Sequence, residues 1–302
     1  MEVRAPESAD FSEDFGGREE PPGAPWLVLG GGGLKGLAHI GAWQALVEAG
    51  VRPAGIVGTS IGALVGALAS SGMSPSEMRG LALDLERSDI VRVNRRAVWI
   101  NGVRQLSVFQ GDPLREHFSE LLPAAGWEAL RIPLLINAVD LGNGDTEWFG
   151  SGARTDVSLV DAVYASSALP VFYPPFELDG HAFVDGGVAR TLPIGRAREE
   201  GAGRIIAIDV GSGGRAEVRE ILDGGLIAVH QRVVSIMAWQ RRYDLVATWD
   251  GPPLTYVRPR LSGYGTCDFE HVEYFLDEGH RAMREALEAG SRGGSAPEPG
   301  RE

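Results

Sequence analysis

The chain has 302 residues, 44% of them hydrophobic, so it can bury a sizeable core as one large α/β domain or two small ones, of which we favour one. Its 41 acidic and 28 basic side chains give a net charge of −13, which argues against a nucleic-acid-binding surface and against electrostatic capture by anionic membranes. Cys267 is the only cysteine, which excludes an intrachain disulfide and a cysteine metal cluster and fits a reducing compartment.

Both ends of the chain have the composition of unstructured segments. Residues 1–24 carry seven acidic and two basic side chains without an apolar run, which is the opposite of a secretory signal. Nothing downstream reaches the roughly 18 consecutive apolar residues of a membrane span. We therefore expect a soluble cytoplasmic protein with a disordered acidic leader at 1–24, a folded domain at 25–289 and a disordered tail at 290–302.

Two strand-helix pairs open the predicted domain. The apolar run Trp26–Leu29 ends in glycines, as expected of a buried parallel strand that leads into a loop. Residues 37–49 place apolar side chains at helical spacing and stop at Gly50, a favourable C-terminal cap. Residues 56–57 form a second strand, and residues 61–69 suit a helix packed closely against a sheet. This order predicts a right-handed crossover and a parallel sheet.

The later elements are predicted from short apolar runs and from helical periodicity. Further strands are expected at residues 134–139, 182–184, 205–210 and 254–257. Further helices are expected at residues 75–86, 113–122, 159–167, 216–244 and 269–289, with a break at Gly224-Gly225 in the fourth of these.

Two glycine motifs follow the first two strands. The first is a run of four glycines that begins at Gly30, and the second is Gly58-Thr59-Ser60-Ile61-Gly62. In a chain with 42 glycines the second pattern arises easily by chance, so its position carries the information. Because both loops leave parallel strands at their carboxyl ends, both lie at the sheet edge where ligands bind in open α/β folds.

Together these motifs are typical of a serine nucleophile and its oxyanion hole. A serine hydroxyl needs a base that removes its proton and donors that stabilise the developing oxyanion. Gly58 and Gly62 permit a sharp strand-to-helix turn that exposes the Ser60 side chain at a helix N-terminus. The glycine run can present backbone N–H groups as a donor nest, and Lys35 can add positive charge nearby. The glycines expected to form the oxyanion hole are Gly31, Gly32 and Gly33.

A tight turn or a phosphate cradle is the plainer interpretation of either motif alone. A P-loop requires Gly-Lys-Ser/Thr, whereas Lys35 is followed by Gly36. A dinucleotide site matches Gly31, Gly33 and Gly36 but needs an acidic residue at the end of the second strand, which leads to Ser60 instead. Both nucleotide interpretations are therefore weakened.

The base is better sought among aspartates than among the six histidines, none of which has a distinctive sequence setting. Asp185 follows a short strand, and Gly186 and Gly187 after it would let the carboxylate turn toward a neighbouring loop. Two rivals remain on this evidence. Asp223 also precedes two glycines but interrupts a helix, and Asp140 ends a strand and can reach the same sheet edge.

Four motifs follow one another in a characteristic order over about residues 25–210. They are Gly30-Gly31-Gly32-Gly33-Leu34-Lys35-Gly36 with Leu37-Ala38-His39-Ile40-Gly41, then Gly58-Thr59-Ser60-Ile61-Gly62, then Ala165-Ser166-Ser167-Ala168-Leu169-Pro170, then Val184-Asp185-Gly186-Gly187. In combination and order they resemble the patatin-like phospholipases, in particular the bacterial branch. The resemblance fades after about residue 215, so the last third of the chain says little about substrate.

The resemblance implies a three-layer α/β/α fold with a mainly parallel central sheet. It also implies a Ser/Asp dyad without a catalytic histidine, in which Ser60 is the nucleophile, Asp185 the base and the glycine run the oxyanion hole. The resemblance favours Asp185 over Asp223 as the base, and it assigns Asp140 to a structural loop of the family. The supporting motif residues are Lys35, Gly36, Gly58, Gly62, Gly186 and Gly187.

The implied function is release of fatty acids from lipid esters through an acyl-enzyme, as in phospholipases A and lysophospholipases. The expected partner is a lipid or acyl-ester substrate, with transient contact to a membrane surface and no nucleic acid. No cofactor and no metal are implied, and the oligomeric state stays open. The alternative is a non-catalytic anion-binding or lipid-binding regulatory protein on an inherited hydrolase fold.

Two further expectations concern the surroundings of the dyad. Many relatives carry an asparagine shortly after Asp-Gly-Gly, where this chain has Thr191, interpreted as a hydrogen-bonding turn residue. An acyl chain needs an apolar groove, for which the apolar face of residues 226–239 is one candidate, although a core helix is the plainer interpretation there. The other candidates are Trp99, Ile100, Leu106, Val108 and Phe109.

Overall fold

The structure, a computed structural model, describes residues 23–93, 106–211, 213 and 216–291. Most of the leader and tail expected from the sequence, and the groove candidates Trp99 and Ile100, lie outside the described residues. The last helix continues through Ser291, slightly beyond the expected domain boundary.

The described part of the chain forms eight strands and eleven α-helices. The strands are β1 (Trp26–Leu29), β2 (Gly55–Gly58), β3 (Leu134–Asp140), β4 (Thr146–Gly150), β5 (Phe176–Leu178), β6 (His181–Asp185), β7 (Ile205–Ile208) and β8 (Leu254–Val257). The helices are α1 (Ala38–Glu48), α2 (Ile61–Ser71), α3 (Pro75–Leu83), α4 (Arg87–Ile90), α5 (Asp112–Leu121), α6 (Leu159–Ser167), α7 (Gly187–Arg190), α8 (Ile194–Glu199), α9 (Val218–Asp223), α10 (Gly225–Ala247) and α11 (Val272–Ser291). Among these helices, none combines the length and apolarity needed to cross a bilayer.

All eight strands belong to one sheet. Its order is β5-β6-β3-β2-β1-β7-β8, and β4 pairs with β3 off this path. The five strands from β3 to β8 in this order are mutually parallel, whereas β4, β5 and β6 pair antiparallel. The mainly parallel sheet expected from the sequence is confirmed.

The strands bury side chains on both faces of the sheet. Leu27 and Leu29 contribute to a core shared with α1, α2, α6 and α11, while Val28 between them points into a second core. That second core contains residues of α8 and of the C-terminal part of α10, such as Ile194 and Leu245. Helices therefore cover both faces, and the expected three-layer α/β/α arrangement is confirmed.

Two strands meet end to end on one edge of β3. Ile136 of β3 pairs with Gly58 on one edge and with Phe149 of β4 on the other. Ala138 pairs with Asp185 of β6, also on the edge opposite β4. Since β2 runs parallel and β6 antiparallel to β3, their carboxyl ends converge, and this convergence brings the second and fourth motifs together.

Each predicted strand and helix is present, with bounds shifted by a few residues. The expected helix break is confirmed, since α9 ends at Asp223 and α10 begins at Gly225 with a positive φ of 68°. The sequence did not predict β4, β5 or the short helices α4, α7 and α8. In β4 the first three of five residues are partly exposed, so the continuous apolar run typical of the parallel strands is missing.

Candidate active site

Ser60 lies at the sharp turn between β2 and α2. Its backbone adopts φ 55° and ψ −126°, a conformation that costs energy in a non-glycine residue and that sets its side chain apart from the helix. A Cβ on Gly58 would lie 2.6 Å from the Cα of Ala63. A Cβ on Gly62 would lie 2.2 Å from the carbonyl oxygen of Leu29. Both glycines are therefore required for the close approach of α2 to the sheet.

Ser166 supports the turn at Ser60 from α6. The backbone N–H of Ser60 donates a 2.9 Å hydrogen bond to the Oγ of Ser166, which is fully buried. This contact satisfies an amide at the start of α2 that has no acceptor within the helix. The third motif thus holds the strained turn, a role that sequence reasoning did not assign to it.

Asp185 ends β6 and faces Ser60. The N–H of Gly187 donates a 2.7 Å hydrogen bond to its Oδ1, and the Ser60 hydroxyl lies on the same cavity. Asp185 is only 4% exposed, and this burial raises the pKa of its carboxyl to about 6, against the opposing effects of the Ser60 hydroxyl and the Gly187 N–H. Gly186 packs so tightly that a Cβ there would lie 2.4 Å from the carbonyl oxygen of Asn137.

The glycine run after β1 packs directly against the turn at Ser60. A Cβ on Gly31 would lie 3.4 Å from the Cβ of Ser60. A Cβ on Gly36 would overlap the side chain of Ile61. The structure therefore brings the first and second motifs into contact at the carboxyl edge of the sheet, where the sequence placed them.

The N–H groups of the glycine run differ in their partners. Gly31 donates to the carbonyl oxygen of Thr191 at 2.9 Å. The Thr191 hydroxyl in turn donates to the carbonyl oxygen of Gly187 at 3.0 Å, as expected of a hydrogen-bonding turn residue. No acceptor among the described residues contacts the N–H of Gly32 or Gly33. Of the three candidates for the oxyanion hole, these two have donors available for a ligand.

Lys35 belongs to a buried group of charges behind the glycine run. It is 1% exposed, and burial, reinforced by the charge of Arg242, lowers the pKa of its ammonium to about 8. Asp209 opposes this shift and pairs with Arg242 at 3.1 Å, and it accepts a 2.7 Å hydrogen bond from Tyr256. Lys35 does not line the cavity beside Ser60, so its charge acts through the protein interior.

A predominantly apolar cavity of about 230 Å³ adjoins Ser60 and Asp185. Ser60, Asp185 and the three glycines from Gly31 to Gly33 line one part of it. Side chains from α2, α3, α4, α5 and the loop after α6 line a further part, among them Leu64, Met78, Leu81, Ile90, Phe118 and Tyr173. The cavity is chemically suited to an apolar chain that ends in a reactive carbonyl.

The cavity wall differs from the groove predicted from the sequence. Leu106, Val108 and Phe109 do not line it, and Phe109 lies behind the wall, where its ring stacks on that of Phe172 at 5.5 Å. The second candidate, residues 226–239, does contribute wall residues. The sequence could not reveal this arrangement because helices distant in the chain assemble the wall.

The rival bases lie elsewhere. Oδ1 of Asp140 accepts a 2.8 Å hydrogen bond from the N–H of Gly142, and its Oδ2 lies 2.7 Å from Nδ1 of His181, so it organises the β3–β4 turn. Asp223 is exposed at the end of α9. Neither lines the cavity, whereas Asp185 does.

All six histidines are among the described residues, and none of them hydrogen-bonds Ser60. His39 is fully buried, its Nε2 lies 2.8 Å from the carbonyl oxygen of Gly30, and burial lowers the pKa of its imidazole to about 4. It is therefore neutral at pH 7 and can donate from Nε2 to the start of the glycine run. His117 lines the cavity from α5.

Comparisons with known proteins converge on one family. The family model described as Patatin-like phospholipase matches residues 27–198, more than half of the chain. Patatin-like phospholipase domain-containing protein 7 of Mus musculus is 28% identical over 300 residues, which cover 89% of this chain and 21% of the relative. An uncharacterized NTE family protein of Mycobacterium bovis is 32% identical over 184 residues, which cover 61% of this chain and 48% of the relative. The chain spans about a fifth of the length of the mouse protein.

A solved structure shares the fold. VipD from Legionella pneumophila superposes with a TM-score of 0.52 at 16% sequence identity, over 89% of this chain and 67% of VipD. At this identity the likeness concerns the arrangement of sheet and helices alone.

Proposed function

Since the chain belongs to the patatin-like phospholipase family, we propose that it is a serine acyl hydrolase that releases fatty acids from lipid esters. The observation that carries this proposal is that Ser60 and the buried Asp185 line the same apolar cavity. A nucleophile, a neighbouring base and room for an acyl chain are the parts that this reaction needs. The mouse relative is about five times longer, so the activity of this chain rests on its own residues.

The proposed reaction begins when Asp185 accepts the Ser60 proton as Oγ attacks the acyl carbonyl. The N–H groups of Gly32 and Gly33 stabilise the tetrahedral oxyanion, together with the N-terminus of α2. Collapse breaks the ester bond, the leaving alcohol takes the proton from Asp185, and the acyl group stays on Oγ. Water then attacks the acyl-enzyme with Asp185 as base, which releases the fatty acid and restores Ser60.

The raised pKa of Asp185 supports this assignment. A carboxylate with a pKa of about 4 is a weak base toward a serine hydroxyl. Burial brings the pKa of Asp185 to about 6, which makes the carboxylate more basic while it stays ionised at neutral pH. The Ser60 hydroxyl opposes this rise in the pKa, as expected of a donor close to the carboxylate.

The substrate class follows from the cavity. Its apolar wall suits a fatty acyl chain, and the proposed activity is of the phospholipase A or lysophospholipase type. Lipid esters reside in membranes, so transient contact with a membrane surface is part of the proposal, as is the cytoplasmic location expected from the single cysteine.

A soluble ester tests the nucleophile. Ser60→Ala should lower the turnover of a short-chain p-nitrophenyl ester by about a thousandfold or more while the thermal melting transition is retained. A fluorophosphonate probe should label the wild-type chain and not this variant, because only an activated serine reacts. Turnover that survives in Ser60→Ala would contradict the assignment. Wild-type protein that neither turns over the ester nor reacts with the probe would favour the non-catalytic alternative.

Three matched substitutions test the base. Asp185→Asn should lose nearly as much activity as the nucleophile variant, because the two groups act as a unit. Asp140→Asn and Asp223→Asn make the same chemical change at the two rival positions and should keep turnover near the wild-type rate. If either rival is the inactive variant and Asp185→Asn is active, the assigned base is wrong.

A further inference from the structure

The cavity beside Ser60 follows one side of α2. Four side chains of this helix line it: Ile61, Leu64, Val65 and Leu68. They recur every three or four positions, which places them on one face of the helix. Leu68 comes eight residues after Ser60 in the sequence, which corresponds to about 12 Å along a helix. The cavity therefore extends from Ser60 along the first two turns of α2.

Helix α2 runs from the carboxyl edge of the sheet toward its amino edge. Near its start, a Cβ on Gly62 would lie 2.2 Å from the carbonyl oxygen of Leu29, the last residue of β1. One turn later, a Cβ on Gly66 would lie 3.1 Å from Cγ2 of Ile56 and 3.2 Å from Cδ1 of Leu134, near the starts of β2 and β3. The end of the cavity that is far from Ser60 therefore lies deep under the carboxyl edge.

Helix α3 forms the opposite wall and leads back toward the carboxyl edge. The N–H of Met73 donates a 3.1 Å hydrogen bond to the carbonyl oxygen of Leu68, so the chain reverses directly after α2. The short helix α4 follows α3, and the carbonyl oxygen of Ile90 at its end accepts a 2.9 Å hydrogen bond from Tyr173, in the loop after α6. Since α6 supports the turn at Ser60, α3 starts at the deep end and ends near the carboxyl edge.

The residues of α3 follow the same order in depth. Four apolar side chains of this segment line the cavity: Met78, Leu81, Ala82 and Leu85. Met78 is 0% exposed and Leu68 across from it is 4% exposed, whereas Leu81, nearer the carboxyl edge, is 40% exposed. The next residues on the two helix faces, Ser71 and Ser74, do not line the cavity. Leu68 and Met78 therefore close its deep end, and we term this pair the floor.

The walls above the floor are suited to an acyl chain and not to a polar alcohol. Helix α5 completes them with Leu114, His117, Phe118 and Leu121. Of the described residues that α2, α3 and α5 contribute to the lining, all are apolar except His117. By contrast, α10 contributes Gln231 and Ser235 to the lining of the same cavity. An ester held at Ser60 would therefore direct its acyl chain between α2 and α3 and its alcohol toward α10.

The depth of the floor limits the length of that chain. An extended carbon chain advances about 1.3 Å per bond, so about 12 Å accommodates roughly nine bonds. We propose that the cavity accepts acyl chains of up to about ten carbon atoms and that Leu68 and Met78 are the specificity-determining residues that set this limit. The inference rests on the proposed function and narrows its substrates to esters of short-chain and medium-chain fatty acids.

A series of p-nitrophenyl esters, from butanoate to tetradecanoate and each in monomeric solution, tests the limit. We expect kcat/KM to rise about two- to threefold with each added CH₂ as far as decanoate, because each CH₂ enters the apolar cavity. From decanoate to tetradecanoate kcat/KM should fall by about tenfold, since the added carbons meet the floor. A value that keeps rising through tetradecanoate would overturn the proposal.

Two matched methionine variants test the floor itself. Met78→Ala removes most of one floor side chain and should move the maximum of kcat/KM about two or three carbon atoms toward longer chains. Met283 on α11 is also 0% exposed, but it does not line the cavity. Met283→Ala should lose comparable stability and keep the length profile of the parent protein. If the two variants have the same length profile, the floor does not set the limit.

A variant with the opposite effect covers the case in which Met78→Ala does not fold. Ala82 lies four residues after Met78, about 6 Å nearer the carboxyl edge along a helix. Ala82→Leu places a larger side chain in the cavity and should move the maximum about four carbon atoms toward shorter chains. A folded Ala82→Leu protein with the parent profile would contradict the path assigned to the acyl chain.

Binding of unbranched primary alcohols keeps this inference separate from the proposed function. In Ser60→Ala protein, calorimetric titration with alcohols from hexanol to tetradecanol measures the length of the cavity without hydrolysis. Affinity should rise with chain length as far as decanol and then stop rising. Parent protein that hydrolyses none of the esters would refute the proposed function, and the alcohol series would still decide the length limit. Affinity that continues to rise through tetradecanol would overturn the limit even if the esters are hydrolysed.

Discussion

The Thr59 hydroxyl donates a 2.8 Å hydrogen bond to Oδ1 of Asn137, and this contact ties the end of β2 to β3, the strand that pairs with both β2 and β6. Asn137 lies on β3 between the residues paired with the ends of β2 and β6. Its Nδ2 donates to the carbonyl oxygens of Gly186 at 3.3 Å and of Arg190 at 3.2 Å. One buried amide thus ties the residue before Ser60 to the residue after Asp185.

Removal of this amide should loosen the dyad. We expect Asn137→Ala to lower kcat for a soluble ester at least about tenfold with little change in KM, because the dyad geometry depends on both sides of the amide. The free energy of unfolding should fall by about 1–3 kcal/mol, since buried polar partners lose their hydrogen bonds. Steady-state kinetics and urea unfolding measure the two effects.

The partner of Asn137 supplies the control for that experiment. Thr59→Ser keeps the hydroxyl and should retain most of kcat, whereas Thr59→Val keeps the shape and removes the donor. An Asn137→Ala variant that unfolds more easily but keeps the parent kcat would show that the amide stabilises the fold without positioning the dyad.

The motif residues could be predicted from the sequence because strand order and glycine position determine where they lie. Ser60 and Gly31 each follow a strand that leads to the same sheet edge, and the structure has them in contact. Asp185 could not be chosen over Asp140 from the residues alone, since that choice depends on the antiparallel pairing of β6 with β3. The choice of Asp185 came instead from the resemblance to a family.

The supporting contacts were not predictable in the same way. Asn137 gave one usable signal, a polar residue in the otherwise apolar strand Leu134–Val139, and buried polar side chains in such a place need partners. Ser166 gave no such signal in the sequence beyond its place in the third motif. Both contacts join segments more than 70 residues apart, which local periodicity does not report.

The pH dependence of activity should follow the ionisation of Asp185. Burial raises the pKa of its carboxyl to about 6, and the base acts only when it is ionised. We therefore expect kcat/KM for a soluble ester to rise with pH as the pH passes about 6 and then to level off. A rate that is flat between pH 5 and 7 would contradict the role of this carboxyl.

The same pKa predicts a pH-dependent stability. The pKa of Asp185 is higher in the folded than in the unfolded chain, so this group stabilises the fold most below about pH 4 and loses that contribution as the pH rises through about 6. Asp185→Asn cannot ionise and should gain stability over the parent above pH 6, on the order of 3 kcal/mol at most. The difference should shrink below pH 4. Thermal melting across this range measures it, and a stability difference that does not vary with pH would contradict the shift.

Ser166→Ala should weaken the nucleophile turn without touching substrate. The variant leaves the N–H of Ser60 without its acceptor, so we expect kcat to fall about tenfold and the unfolding free energy to fall by about 1 kcal/mol. Ser70→Ala is a suitable control, because the buried Oγ of Ser70 has no hydrogen-bond partner among the described residues. Equal losses in the two variants would mean that the Ser60 contact has no special effect.

Close packing at the nucleophile turn leads to the last prediction, which compares two glycines. A Cβ on Gly62 would lie 2.2 Å from the Leu29 carbonyl oxygen, a backbone atom of the central sheet that cannot move aside cheaply. Gly62→Ala should therefore destabilise the fold by about 2 kcal/mol or more and abolish ester turnover. Gly80 lies in α3 with nothing within 4 Å of its Cβ position, so Gly80→Ala should stabilise the helix by about 0.5–1 kcal/mol and leave turnover unchanged. Urea unfolding of both variants measures the change in stability, and ester kinetics measure the change in turnover. If Gly62→Ala folds and turns over like the parent, α2 does not need this close approach, and the steric account of the turn is wrong.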